Sequence, residues 1–541
     1  MFARFLSAPT KGAAFVPLTV GATLAIFATS TPAQSAEPLV IGQAGDPVTL
    51  DAHGNNGIVE ASVQSNIFET LVTLDKKMEI QPALATRWEN PEPDRWVFHL
   101  RPGVKFQNGA PLTAQDVAFS FQRLINWKPF GVMTGLAFYF HGVKSVTALD
   151  PLTVELRTSG PFATMLRNMR TAYIVNEAYI EKVTAEKGIE EVGRSPMGTG
   201  PFKFVEWATG DHMTLDRFAD YWGTKAGVER VIFRPIANNA TRTAALLSGE
   251  LGIATELPPL DVPRVKTNPN TRVVLDEGMR TINYKFDSVR AETPGIPGMP
   301  NPLRDVRVGE AINYAIDVNA IVKIIMNGFA RPSTQLGGHQ HFGWSPAIER
   351  LPYDPAKAKQ LLAEAGYPHG FPLRIDSSTN RYVNDEQVCL AVAQMVTKIG
   401  IQATCRARPK EVAFKEFYDS HILCCSMFVF SFVTPTADMS GNLETNFHTP
   451  TADGKYGATN GGNPGTPQYS NLEADRLIEA ASLELDAQKR LAILRKASET
   501  IMADYAIAPL YYQNDIYGMS SKLDWVPRPD DFMTMWDAKW R

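Results

Sequence analysis

Apolar residues recur at two spacings along this chain. Up to about residue 290, short runs with apolar residues at every second position alternate with helical stretches. Residues 37–54 open with an apolar run and turn at Gly45-Asp46-Pro47, which predicts a strand leading into a loop. Residues 95–124 read as an alternating strand with Trp96, Phe98 and Leu100 on one face, a Pro-Gly turn, a short strand, an Asn-Gly turn and an amphipathic helix. Thr113 and Asp116 have the spacing of a capping box at the start of that helix. A further hairpin is predicted over 146–156, strands over 230–236 and 271–278, and between them a helix closed by Gly249. A Pro/Gly-rich stretch, 288–305, then interrupts the pattern and marks a surface insertion or a domain crossing.

Beyond it the 3.6-residue period dominates, over 305–328, 354–367, 385–400 and 471–505, with short strands interleaved at 372–378, 401–407 and 421–432. The last of these is almost continuously apolar and aromatic, as a strand buried on both faces would be. The next 35 residues, 436–470, read as one long loop, a length that compact domains reserve for function or disorder. Strands alternating with helices imply an α/β fold.

The N-terminus changes the compartment. Arg4 and Lys11 precede an apolar run over 13–28 and a small-residue segment ending at Ala36, the layout of a cleaved secretory signal peptide over 1–36. A retained membrane anchor is the alternative, but the run is short for a membrane span. No cysteine occurs among the first hundred residues, so there is no thiol for a lipid anchor. Loss of Arg4 and Lys11 takes the net charge from −4 to about −6, and no basic footprint for nucleic acid remains. Export permits disulfides among Cys389, Cys405, Cys424 and Cys425, and a bridge from Cys405 to one of the vicinal pair across neighbouring strands is expected, small buried hydrophobes being the alternative.

Catalytic motifs are missing. Gly198-Thr199-Gly200 fails as a dinucleotide fingerprint because Lys203 stands where a third glycine belongs, and the chain has no phosphate-binding P-loop, nucleophile elbow or HExxH helix. His339 and His341 are the only close histidine pair, which leaves a metal or haem carrier as a minor alternative beside an exported hydrolase. The expectation is a binding protein without enzymatic activity, cofactor or bound metal.

Seven segments, 95–124, 195–204, 216–223, 246–254, 304–332, 353–366 and 507–513, resemble in order the extracellular solute-binding proteins of ABC transporters called family 5, which include dipeptide, oligopeptide and nickel binders. The resemblance implies a two-lobed periplasmic binding protein, class II and cluster C-like, with an additional inserted domain. Domain I would combine 37–70, 195–287 and 508–541, domain II would be the insertion 71–194, and domain III the second lobe, 288–507. It also implies a small ligand enclosed between the lobes, ABC permease subunits at the inner membrane as partners, and a monomer in the periplasm.

Dipeptide-binding members hold the ligand carboxylate with an Arg that aligns with Arg381, a role suited to the guanidinium's paired donors. Their amine-anchoring Asp aligns with Pro435, so that carboxylate is lacking and only Asp438 follows nearby; either Asp438 or another acid substitutes, or the ligand lacks a free amine. Ligand contacts are therefore expected from Arg381, Tyr382, Phe430, Phe432 and Asp438, with a peptide, a peptide derivative or another small organic solute as ligand.

Overall fold

The computed structural model describes residues 37–55, 57–126, 135–418, 425–452, 455–457, 459–460 and 468–541. The expected signal peptide lies outside them. Two large sheets organise the fold. The first has seven strands in the order Thr271–Asp276, Asp515–Ser520, Ile253–Ala254, Leu39–Gln43, Arg230–Pro235, His212–Arg217 and Phe202–Ala208. The second has six, in the order Ala330–Pro332, Ile507–Gln513, Thr281–Phe286, Met427–Phe432, Pro372–Ser378 and Gln402–Arg408. A separate four-stranded antiparallel sheet is formed by Ala85–Glu92, Arg95–Leu100, Thr153–Thr158 and Val143–Asp150. Each sheet has its own apolar core.

The chain passes between the two large sheets twice, side by side. Thr271–Asp276 belongs to the first sheet and Thr281–Phe286 to the second, whereas Ile507–Gln513 belongs to the second and Asp515–Ser520 to the first. The crossings are tied together by the Gln513 amide, which donates to the Arg280 carbonyl at 3.0 Å. Short extended crossings of this kind are where a lobe movement concentrates.

Local chemistry explains the elements. Thr113 and Asp116 form the reciprocal capping box expected of them. Asp354 caps the helix Pro355–Glu364 through the amides of Ala356 and Lys357, and Gly249 ends the helix Asn239–Ser248 at φ 88°. Gly198 and Gly200 lie against the backbone of Asn66 and Ile67, where an added Cβ would come within 2.3 Å and 2.7 Å of carbonyl oxygens. The segment 305–328 does not run as one helix. It breaks after Val306–Ala315, restarts at Val318–Ala320 under an Asp317 cap and finishes in a π turn over Ile321–Ile325. Among the described residues no helix is long and apolar enough to cross a membrane.

Met427–Phe432 lies inside the second sheet, antiparallel to Thr281–Phe286 and parallel to Pro372–Ser378, and Met427, Phe428, Val429 and Phe430 are buried. This order also corrects the expected disulfide. Pro372–Ser378 separates Met427–Phe432 from Gln402–Arg408, so Cys405 does not border the strand that follows the vicinal pair. Cys405 is bonded instead to Cys389, on the helix Asp385–Thr397 packed against the Cys405 strand, with a Cα–Cα distance of 5.8 Å. Cys424 lies outside the described residues.

Candidate functional site

Where Met427–Phe432 leaves the sheet, the chain turns through Thr434–Ala437, with Ala437 at φ 49°, and Asp438 starts the helix Met439–Asn446. That helix occupies part of the stretch expected to be a loop. Its sequence hides it, because Gly441, Asn442 and Thr445 are weak helix formers and the N-terminal signal is Asp438 alone.

Asp438 is buried and fully engaged. Its carboxylate accepts from the Ser440 amide at 3.0 Å and the Ser440 hydroxyl at 2.7 Å. From the helix Ala487–Ala503, Arg490 adds a bidentate pair, Nη1 to Oδ2 at 2.7 Å and Nη2 to Oδ1 at 2.9 Å. Burial alone would raise the Asp438 pKa, but the charge and hydrogen bonds of Arg490, with Arg167 and the Ser440 amide, outweigh it and hold the group at about 2.

Arg167 links this cluster to the other side of the molecule. It projects from the helix Met165–Asn168, donates to the carbonyls of Met78, Thr436 and Ala437 at 3.2–3.3 Å, and lies 3.8 Å from Asp438. Phe342 packs between the guanidinium groups of Arg167 and Arg490, with its ring centroid 5.3 Å and 5.2 Å away. The Ala163 amide donates to the Ser482 carbonyl at 3.3 Å. The segment that carries the four-stranded sheet thus touches the lobe built on the six-stranded one.

Between these contacts lies a cleft of about 530 Å³. Tyr139, His141 and Asn168 line one wall, and Thr436, Glu444 and Lys455 the other. The lining mixes apolar walls with a few polar groups, as small-molecule sites do. Burial raises the Tyr139 hydroxyl to about 12 despite a hydrogen bond with Thr434. It also raises Glu444 to about 7, against the opposing charge of Arg490.

The expected ligand residues do not gather in this cleft. Arg381 is exposed, with its guanidinium 5.3 Å from the Tyr382 ring and in no ion pair among the described residues. Tyr382 is buried edge-on against Phe414, and Phe430 is buried in the core with Met439 and Leu443. The Phe432 backbone pairs with Thr281, and its side chain lies outside the described residues. Asp438 is occupied by Arg490. Tyr139, Arg167, Glu444 and Arg490 escaped the sequence reading. Only the alignment of Pro435 and Asp438 with the family's amine anchor pointed to their neighbourhood.

His339 and His341 diverge. His341 is buried, which lowers it to about 4, and its Nδ1 lies against Gly338, whereas His339 is exposed at 3.8 Å from Glu277. Among the described residues no group of three His, Cys, Asp or Glu side chains is placed to hold a metal ion.

Two sheets joined by paired crossings, with a cleft between opposed segments, define a two-lobed α/β solute-binding protein. Residues 79–454 match the model of the bacterial extracellular solute-binding proteins, family 5 (middle region), and the chain belongs to that family. Its function is the family's, capture of a small solute for an ABC importer. Over 519 residues it is 28% identical to the glutathione-binding protein GsiB of Salmonella typhi, covering 94% of this chain and 95% of that protein. GsiB of Escherichia coli K12 is 26% identical over 516 residues, 93% and 94% of the two chains. Among solved structures, the periplasmic binding protein DppA of Helicobacter pylori in complex with the peptide STSA has a TM-score of 0.76 at 27% identity, over 93% of this chain and 98% of that one. HbpA2 of Haemophilus parasuis shares the fold with a TM-score of 0.80 at 23% identity, over 93% and 100%.

Proposed function

We propose that the captured solute is a peptide or a peptide derivative, held in the cleft between Tyr139 and Glu444 and released to permease subunits at the inner membrane. The observation that carries this reading is the cleft itself, whose volume of about 530 Å³ falls within the range of small-ligand sites. Its two walls come from segments far apart in the chain, so a ligand touching both favours closure by the difference in its affinity for the closed and open states. A relative named for glutathione and a neighbour solved with a peptide support the same ligand class. The chain works as a periplasmic monomer after removal of residues 1–36, with domain I as 37–70, 195–287 and 508–541, domain II as 71–194 and domain III as 288–507. By its alignment with the dipeptide-binding members, Arg381, which does not line this cleft, is assigned to a ligand carboxylate.

Native mass spectrometry of the protein purified from the periplasm without refolding tests this. The expected spectrum contains a complex with a small organic solute that fragments as a peptide or peptide conjugate. A bound metal, or a solute without amide or amino-acid fragments, would overturn the reading.

A further inference from the structure

Asp438 and Glu444 stand at opposite ends of one short helix, and their surroundings differ. Asp438 accepts from Ser440 and from Arg490. Glu444 lines the cleft, and among the described residues its carboxylate accepts no hydrogen bond and forms no ion pair. Arg490, Lys455 and His448 favour its charge from nearby, but among the described residues none of them reaches it in an ion pair. Arg490 is bound bidentately to Asp438. His448 contacts the Thr449 carbonyl through Nδ1 and the Glu479 carboxylate through Nε2. Lys455, on the same wall, is exposed with its ammonium 4.6 Å from the Tyr456 ring centroid. Asp438, the other acid nearby, repels a charge on Glu444.

Glu444 is partly buried and faces the cleft, and a carboxylate that lines a ligand cleft without a hydrogen-bond or ion-pair partner is placed to take a cationic group of the ligand. Opposite it stand Tyr139, His141, Thr164 and Asn168, and His141 turns its Nδ1 to the Phe138 carbonyl at 2.8 Å and forms no ion pair with Glu444. The position that serves related dipeptide binders is Pro435, which has no charge to offer.

We propose that Glu444 is the anchor for an ammonium group of the captured solute, replacing the acid that Pro435 removes. This assignment rests on the peptide reading above and specifies it: the solute carries a free amine, and that amine points toward the helix Met439–Asn446. Because Glu444 titrates near about 7 when the cleft is empty, ammonium affinity falls as the solution becomes more acidic and the carboxyl takes up a proton.

Calorimetry and thermal unfolding test the assignment with a panel of tripeptides, including glutathione, each with a free amine and as its N-acetylated form. The native protein is expected to bind at least one free-amine member, with acetylation weakening it by roughly tenfold or more, as loss of a charge-assisted contact does. Glu444→Gln is expected to bind the free-amine form roughly tenfold more weakly, to lose the preference over the acetylated form, and to unfold at the same temperature or higher. Between about pH 7 and about pH 5.5 the native affinity should fall by roughly tenfold while the variant's stays flat. Equal binding of both forms by the native protein, or a preference that survives in Glu444→Gln, overturns the anchor and leaves the peptide reading standing. Binding by no member of the panel overturns both.

Discussion

Asp438 and Glu444 are six residues apart, one capping the helix Met439–Asn446 and the other near its end, and the same protein treats them in opposite ways. Around Asp438 the fold supplies a bidentate guanidinium, an amide and a hydroxyl, and the carboxyl is held at about 2. Around Glu444 it supplies none of these, and burial pushes the carboxyl up to about 7. Desolvation acts on both, so partnership decides the sign of the shift. An acid that is buried and satisfied belongs to the scaffold, whereas one that lines a cleft without a partner is free to meet a ligand.

The strongest way to break this contrast is to remove the partner of the satisfied acid. Arg490→Met leaves Asp438 buried with its main counter-charge gone, and urea unfolding should show a loss of about 3–5 kcal/mol. Adding Asp438→Asn, which keeps an N-cap, should recover part of it. A loss within experimental error in the single variant would mean that Asp438 is not held by Arg490.

Next in size is the pH dependence that each acid imparts. Glu444 has its folded pKa raised above the ordinary value of 4.5, so its stabilising effect is present at low pH and is lost as pH rises through about 7. Unfolding of the ligand-free protein should therefore show a decline on the order of 2–3 kcal/mol between about pH 4.5 and about pH 8 that Glu444→Gln removes. For Asp438 the sign reverses. Its folded pKa is depressed below the ordinary 3.8, so its contribution is present above that value and is lost as pH falls toward about 2. The expected acid loss is about 2 kcal/mol, absent from Asp438→Asn.

The smallest effect belongs to Arg381. It is exposed and does not line the cleft, so Arg381→Ala should weaken peptide binding by no more than about 1 kcal/mol in calorimetry. A loss several times larger would place this guanidinium inside the closed site.

The fold was largely legible before the structure because its signals are local. Alternation marked the hairpin around Trp96 and Phe98, Thr113 and Asp116 announced their helix, and an unbroken apolar run marked Met427–Phe432 as a central strand. Two expectations gave way where the deciding fact was spatial. The partner of Cys405 depended on Pro372–Ser378 lying between two strands, an order that no spacing of cysteines encodes. The helix Met439–Asn446 was hidden by small and polar residues that form it through tertiary contacts and a cap.

The site was less legible than the fold for the same reason. Asp438 meets Arg490 across 52 positions and Arg167 across 271. A lone Glu in a polar stretch carries no sign that it will face a cleft without a partner. The family resemblance located the right turn, at Pro435 to Asp438, and showed that an acid was lacking there. Only the structure shows which acid stands nearby without a partner.

The central claim is that Glu444 gives up its proton to pair with the solute's ammonium, and proton release on binding measures this directly. Titrating the native protein with its best free-amine peptide at about pH 7, in two buffers of different ionisation enthalpy, should reveal release of about half a proton per peptide bound, which Glu444→Gln should abolish. No proton release, or the same release from the variant, would contradict the account.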